Sequence, residues 1–182
     1  MEDSSRDAKR FQYERFILSQ LLVMALKGVP AFYLPALLAS ENDIKSFAMT
    51  GQRRDLNREK FKFDNLLSVL NNPESNANKN LKYLRNAMDV RSNLNQFHPS
   101  SEMKCLSKGR SDIVVIKRSK GPKSVFAIHN MTENKINYQL NDNDLPNIFD
   151  NDFNSQDFLT CTKYNWKNIS LDPFQVIWLS AL

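Results

Sequence analysis

Apolar residues follow helical spacing in the first part of the chain and alternate with polar residues in the last part. Residues 11–26 show helical spacing, and the second half of this predicted helix is apolar on nearly every face. This pattern predicts that the helix is deeply buried. Ser4 or Ser5 is the predicted cap, and Gly28 closes the helix. The apolar run 29–34 that follows predicts a buried strand of an α/β fold.

The middle of the chain is more polar. Residues 35–39 predict a short helical turn, and residues 40–58 predict a polar loop that is long enough to carry function. Residues 63–70 and 76–91 each show an apolar stripe at helical spacing and predict two amphipathic helices.

After Pro99 the apolar period shortens to that of strands. Strands are predicted over 113–118, 124–130, 136–140, 158–161 and 173–179, with a hairpin turn at 120–123 and an irregular Asn- and Asp-rich segment at 141–155. The fold class predicted is therefore α/β followed by an all-β antiparallel module. The apolar run 29–34 has no second strand of its kind in this sequence, although a parallel strand needs neighbours.

Charge and composition remove several classes of function. The 182-residue chain carries a net charge of +5, and a basic cluster is made up of Lys104, Lys108, Arg110, Lys117, Arg118, Lys120 and Lys123. Because no stacking aromatics or nucleic-acid motif accompany it, a solvated sheet edge is favoured over nucleic-acid binding.

The apolar stretch 16–26 is too short to span a bilayer, so no membrane partner is expected. Cys105, Cys161, His98 and His129 are isolated from one another in the sequence. They predict no metal site, no cofactor and a reduced, cytoplasmic setting, with His98 at a junction and His129 as a hydrogen-bonded structural residue.

The segment TGQRRDLNRE, residues 50–59, is the main candidate for chemistry. It places three arginines and two acids around one glycine, just beyond the predicted strand. Charged loops after strands are where α/β enzymes usually hold their binding groups.

This loop belongs to an ordered series of motifs. FILSQ (16–20), ALKGVP (25–30), LLASEND (37–43), TGQRRDLNRE (50–59) and LDPFQVIWL (171–179) occur in one order. The series resembles the sucrose phosphorylase group, which includes glucosylglycerate phosphorylases, of the α-amylase superfamily (glycoside hydrolase family 13). The sequence departs from that pattern at Ala31, at Pro35 and Ala36, and at Ala39, which bears on substrate preference.

The resemblance implies a fold and an activity. Residues 1–98 would be the last part of a (β/α)8 TIM barrel, and residues 99–182 a C-terminal antiparallel β-sheet or sandwich domain. Such enzymes transfer a glucosyl unit between sucrose or a related glucoside and phosphate with retention. This chemistry uses two carboxyl groups about 5 Å apart.

The resemblance places the catalytic carboxylates upstream of this chain, so no catalytic residue is expected here and the chain alone is expected to be inactive. It assigns Arg54 to the glucosyl subsite, where a guanidinium fork suits a carboxylate and a sugar oxygen. The alternative for Arg54 is an ion pair to Asp55 or Glu59. Arg58 is expected to anchor the loop.

Asn42 and Asp43 complete the candidate substrate-binding residues. They either line the mouth of the subsite or form a turn, and the turn is favoured. Two other functions stay open. One is a non-catalytic interaction module that covers its apolar surface, for example as a homodimer. The other is a fragment of an α-amylase-type glycoside hydrolase.

Overall fold

The structure, a computed structural model, describes residues 10–141 and 154–181. The predicted cap at Ser4 or Ser5 and most of the predicted irregular segment 141–155 lie outside the described residues. The chain divides into two units. We call Met1–Val29 together with Ala87–Leu182 the β unit, and Pro30–Asn86 the helical unit.

The helices agree with the sequence pattern in the main. They are α1 (Gln12–Ala25), α2 (Leu34–Leu37), α3 (Ile44–Thr50), α4 (Phe63–Asn71) and α5 (Asn76–Asn93), with 3₁₀ helices at Arg53–Asn57 and Asn95–Phe97. The amphipathic patterns that predicted α4 and α5 are confirmed. Helix α3 and the first 3₁₀ helix lie in the segment that was predicted to be loop.

The strands are β1 (Glu102–Cys105), β2 (Ile113–Lys120), β3 (Lys123–Asn130), β4 (Ile136–Tyr138), β5 (Asn154–Gln156), β6 (Lys163–Asn165), β7 (Ile169–Leu171) and β8 (Val176–Ala181). They form a four-stranded sheet in the order β1-β2-β3-β8 and two pairs, β4-β7 and β5-β6. Every strand pair within the described residues is antiparallel. The predicted antiparallel module is therefore confirmed.

The hairpin between β2 and β3 lies where the sequence predicted it. Lys120 pairs with Lys123 across a two-residue turn, and Gly121 has a φ of 60°. A side chain at this φ would be strained, so glycine is suited to the turn, while Pro122 supplies the second turn residue.

The core of the β unit follows from the alternation along β2, β3 and β8. Phe126 and Ile128 point to one face of the sheet and meet Trp166 and Leu171. The rings of Phe126 and Trp166 lie 5.2 Å apart in an edge-on arrangement. The whole buried cluster is Ile113, Val115, Phe126, Ile128, Leu140, Trp166, Ile169, Leu171, Ile177 and Leu179.

Helix α1 belongs to the β unit and contacts β3. Leu21, Met24 and Ala25 of the helix are fully buried. The predicted deep burial therefore holds for one face of the helix, whereas Val23 and Leu26 remain 45% and 42% exposed.

Two arginines fasten the end of α1 without any carboxylate. Arg91 donates hydrogen bonds to the carbonyl oxygens of Met24, Gly28 and Phe97, at 2.9, 2.9 and 3.2 Å. Arg118 is fully buried in β2, with its guanidinium 5.8 Å from the centroid of the Phe97 ring. The Arg118 guanidinium donates to the carbonyl oxygens of Ala25, Leu26, His98 and Glu102.

The burial of Arg118 corrects the interpretation of the basic cluster. Arg118 does not belong to a solvated edge, because the alternation of β2 points it away from the core cluster and towards the end of α1. Burial lowers the pKa of its guanidinium, and the nearby charge of Arg91 adds to that effect. The carbonyl oxygens of Ala25 and Leu26, at the C-terminal end of α1, stabilise this charge.

Two predicted strands are wrong. Residues 29–33, all of which the structure describes, form no strand, and Val29 is 81% exposed. A parallel strand is defined by its neighbours, and none is available among the described residues. Residues 158–160 form a turn instead, which the buried Asp157 organises.

Asp157 was not singled out from the sequence. Its carboxylate accepts hydrogen bonds from the backbone N–H groups of Leu159, Thr160 and Trp178, and from the Thr160 hydroxyl. Burial raises the pKa of this carboxyl, while those hydrogen bonds oppose the rise. Both carboxylate oxygens of Asp157 therefore accept hydrogen bonds, from the turn and from the backbone of β8.

Within the described range, no helix is long and apolar enough to cross a bilayer.

Candidate substrate-binding loop

The segment from Asn42 to Arg58 is folded by hydrogen bonds between its own residues. The Asp43 N–H donates to the Leu56 carbonyl oxygen at 2.6 Å, which closes the segment into one piece. The Thr50 hydroxyl donates to Asp55 Oδ2, also at 2.6 Å. These bonds join the start of α3 to the following 3₁₀ helix, so the arginines are carried on an ordered support.

Asp43 begins α3 as its N-cap. Its Oδ1 accepts the Ser46 N–H at 2.9 Å, and its Oδ2 accepts the Ser46 hydroxyl at 2.5 Å. These two bonds, the side-chain bond first, lower the pKa of the Asp43 carboxyl below its ordinary value, and the charge of Lys45 contributes. The turn-forming interpretation of Asp43 agrees with this geometry.

Gly51 ends α3 in the left-handed region. Its φ is 67°, and its N–H donates to the Phe47 carbonyl oxygen at 2.8 Å. Space around it is open, so the backbone conformation and not crowding favours glycine here. The glycine turns the chain from α3 into the arginine-bearing 3₁₀ helix.

Arg54 is the most exposed member of the predicted ion pair. Its Nε lies 4.0 Å from Asp55 Oδ1, and its side chain is 66% exposed, against 25% for Asp55. A contact at this distance leaves the guanidinium donors available to a ligand. Asp55 is fixed by the 2.6 Å hydrogen bond from Thr50, whereas the longer contact with Asp55 holds Arg54 only weakly.

Arg58 lies at the end of the same 3₁₀ helix, and its backbone N–H bonds to the Asp55 carbonyl oxygen at 3.4 Å. Its side chain is exposed. The predicted anchoring of the loop through the Arg58 side chain stays a prediction.

A cleft of ≈ 490 Å³ adjoins part of this loop. Its lining residues are Glu41, Asn42, Asp43, Ile44, Lys45, Glu59 and Lys60. The structure therefore brings Asn42 and Asp43 together at one cleft, whereas Arg54 and Arg58 do not line it. A second cleft of ≈ 350 Å³ shares Glu59 and Lys60 and reaches Leu66 and Val69 of α4.

The side chains of this loop are suited to binding a ligand. The loop presents guanidinium and ammonium donors beside carboxylate and amide acceptors, which suit sugar hydroxyls and phosphate oxygens. In the part of the chain that the structure describes, no group of three or more His, Cys, Asp or Glu side chains is placed to hold a metal ion.

His129 is buried in β3 and serves the fold. Its Nδ1 lies 3.2 Å from the Val114 carbonyl oxygen, as expected for a hydrogen-bonded structural residue. Burial lowers the pKa of its imidazole to about 4. Its position in a predicted strand, away from other ligand-type residues, was the sequence signal, and the register places it opposite Val114 of β2.

Comparisons with known proteins support the sequence resemblance. The chain is 30% identical over 130 residues to a glucosylglycerate phosphorylase of Allomeiothermus silvanus, which covers 71% of this chain and 23% of that protein. It is 24% identical over 166 residues to a glucosylglycerate phosphorylase of Escherichia coli, which covers 91% of this chain and 28% of that protein. No protein-family model matches.

A solved structure shows the same fold. The trehalose-6-phosphate hydrolase of Bacillus licheniformis matches 96% of this chain with a TM-score of 0.68 and 15% identity, over 40% of its own length. The chain thus spans about a quarter of the length of the curated relatives that it matches. The resemblance to the phosphorylase group is confirmed: the chain is homologous to part of the glucosylglycerate phosphorylases.

Proposed function

We propose that this chain is the C-terminal portion of a retaining glucoside phosphorylase, in which residues 1–98 complete a (β/α)8 barrel and residues 99–182 form the domain that follows it. The observation that carries the proposal is the 30% identity to a glucosylglycerate phosphorylase over 71% of the chain. Glucosylglycerate and phosphate are the proposed substrates, with glucosyl transfer to phosphate as the reaction.

The catalytic carboxylates are proposed to come from polypeptide that corresponds to the other three quarters of the relatives. Retaining glucosyl transfer needs a carboxylate nucleophile and a carboxylic acid on either side of the scissile bond. Asp157, a buried carboxyl with a raised pKa, is committed to backbone N–H groups of its own turn and to Thr160.

Arg54 is proposed to contact the glucosyl group. Its guanidinium is exposed, held only loosely by Asp55, and carried on a loop that its own hydrogen bonds order. Preorganised support of this kind reduces the entropy lost when a ligand is bound. Arg58 is proposed to bind substrate beside Arg54, and Asn42 and Asp43 from the adjoining cleft, with Asp43 also acting as the N-cap of α3.

The experiment uses a chimera in which the matched segment of the Allomeiothermus silvanus phosphorylase is replaced by this chain. We expect the chimera to release glucose 1-phosphate from glucosylglycerate only when phosphate is present, and the 182-residue chain alone to release none. Turnover by the chain alone, or hydrolysis that does not depend on phosphate, contradicts the proposal.

Arg54→Ala in the chimera tests the residue itself. Loss of a charged donor to a sugar should reduce kcat/KM about 10- to 100-fold, on the order of 1.5–3 kcal/mol. Arg53→Ala is the matched control, since Arg53 is an exposed neighbour on the same 3₁₀ helix. Equal effects of the two substitutions would remove the specific role of Arg54.

A fragment of an α-amylase-type hydrolase is the second candidate, and the solved hydrolase structure favours it. At 15% identity that likeness concerns the fold alone, so we rank it below the phosphorylase. The phosphate dependence of the chimera separates the two. A cytoplasmic location is proposed as well, supported by the exposed free thiols of Cys105 and Cys161.

A further inference from the structure

Helix α4 in the helical unit has an apolar stripe that is not buried. Phe63, Leu66, Leu67 and Leu70 follow the i, i+3, i+4, i+7 spacing of one helix face. Phe63 is 71% exposed and Leu67 is 41% exposed. None of the nine residues of α4, all of which are described, is buried.

The amphipathic pattern of α4 therefore lacks its usual counterpart. A short helix in water gains most of its stability from packing of its apolar face. Helix α1 illustrates the ordinary outcome, because Leu21, Met24 and Ala25 are fully buried. In α4, Leu66 and Leu70 are only half-buried, and Phe63 and Leu67 are exposed to solvent. Monomeric proteins usually avoid contiguous exposed apolar surface of this kind.

Helix α3 and the segment before α2 show the same property. Ile44 and Met49 of α3 are 68% and 81% exposed, and Tyr33 is 55% exposed. Residues 29–33 are apolar in sequence but form no strand. Apolar side chains on α3, on α4 and just before α2 are thus exposed to solvent within the helical unit.

We propose that the α4 stripe docks against the polypeptide that corresponds to the other three quarters of the phosphorylase relatives, so that α4 is an interface for the rest of the barrel. This inference rests on the proposed function for the identity of the occupant. The relatives are much longer than the part that this chain matches, since the chain spans 23% of one and 28% of another. The unmatched part of the relatives is therefore large enough to cover α4.

A second copy of this chain fits less well as the occupant. It would bring only one further copy of the unpaired segment 29–33, whereas a buried parallel strand has a neighbour at each edge. The rest of a barrel offers both neighbouring strands together with the helices that follow them. The rest of the barrel would then cover the apolar stripe of α4 and also provide strands with which residues 29–33 could pair.

The test measures amide hydrogen exchange in residues 63–71, in the isolated 182-residue chain and in the chimera described above. We expect exchange in α4 to slow by at least ~10-fold in the chimera, because docked helices open less often. The double substitution Phe63→Glu with Leu67→Glu should abolish that protection. Ser68→Glu, on another side of α4, is the matched control and should leave it unchanged.

Each other result counts against the docking proposal. Equal exchange in the chain and the chimera overturns it, and so does an insoluble chimera beside a soluble unmodified relative. A dimer of the isolated chain in which α4 is already protected would make a second copy the occupant. Release of glucose 1-phosphate by the chimera is measured separately. If α4 is protected but no glucose 1-phosphate is released, the docking proposal is supported and only the proposed function is contradicted.

Discussion

The β unit and the helical unit use similar apolar side chains in different ways. In the β unit, Phe126, Trp166 and Trp178 are at most 1% exposed. In the helical unit, Phe63 and Met49 are 71% and 81% exposed. Apolar content alone therefore does not show that a region completes its own core, and the distribution of burial distinguishes the two cases.

The largest expected difference comes from one residue type in the two units. Phe126→Ala removes a fully buried ring that contacts Trp166, and should lower the free energy of unfolding by ~3–5 kcal/mol. Phe63→Ala removes a ring that is mostly in water and should change it by less than ~0.5 kcal/mol. Urea denaturation followed by tryptophan fluorescence measures both, and equal losses would end the contrast between the units.

The pH dependence of the β unit should be the next largest effect. Because the folded pKa of His129 is about 4 and its ordinary value is 6.5, protons bind the unfolded chain first as the pH falls. Stability contributed by neutral His129 is present above pH ~6.5, falls between pH ~6.5 and ~4, and totals ~3 kcal/mol.

Denaturation at a series of pH values checks this effect. His129→Gln keeps a polar side chain but cannot titrate, so its stability should vary less across the same range. If the variant and the parent lose stability equally between pH 6.5 and 4, His129 does not carry the effect.

The smallest expected effect lies in the helical unit. Asp43→Ala removes the N-cap of α3 and should destabilise that helix, seen as roughly 5-fold faster amide exchange in residues 44–50. Asp43→Asn retains an acceptor and should restore most of the protection. Unchanged exchange in both variants would show that the Asp43–Leu56 bond, and not the cap, orders the loop.

The sequence was informative where structure depends on nearby residues. The alternation and the Gly121-Pro122 turn predicted β2 and β3, and apolar spacing predicted α4 and α5. The predicted strand at 29–34 failed, because a parallel strand exists only when distant segments pair with it. Helix α3 was missed since its stability comes from the Asp43 cap and not from an apolar stripe.

The candidate site follows the same division. The local role of Asp43 agrees with the turn-forming interpretation, and the Arg54–Asp55 pair exists at the outer limit of an ion pair. What Arg54 binds depends on groups that are distant in sequence, so local patterns do not determine it. Arg118 was misjudged because lysines and arginines near a sheet edge usually face water, whereas β2 turns this one inward.

Arg91 and Arg118, at the end of α1, have a consequence for which sequence changes this region can accept. Arg91 and Arg118 hold main-chain oxygens, which every amino acid supplies, and not the side chains of residues 24–28 and 97–102. These hydrogen bonds therefore place no requirement on the identity of the acceptor residues, although the burial of Met24, Ala25 and Phe97 still restricts those three. A scaffold fastened in this way tolerates sequence drift, which accords with homologues that share only 24–30% of their residues with this chain.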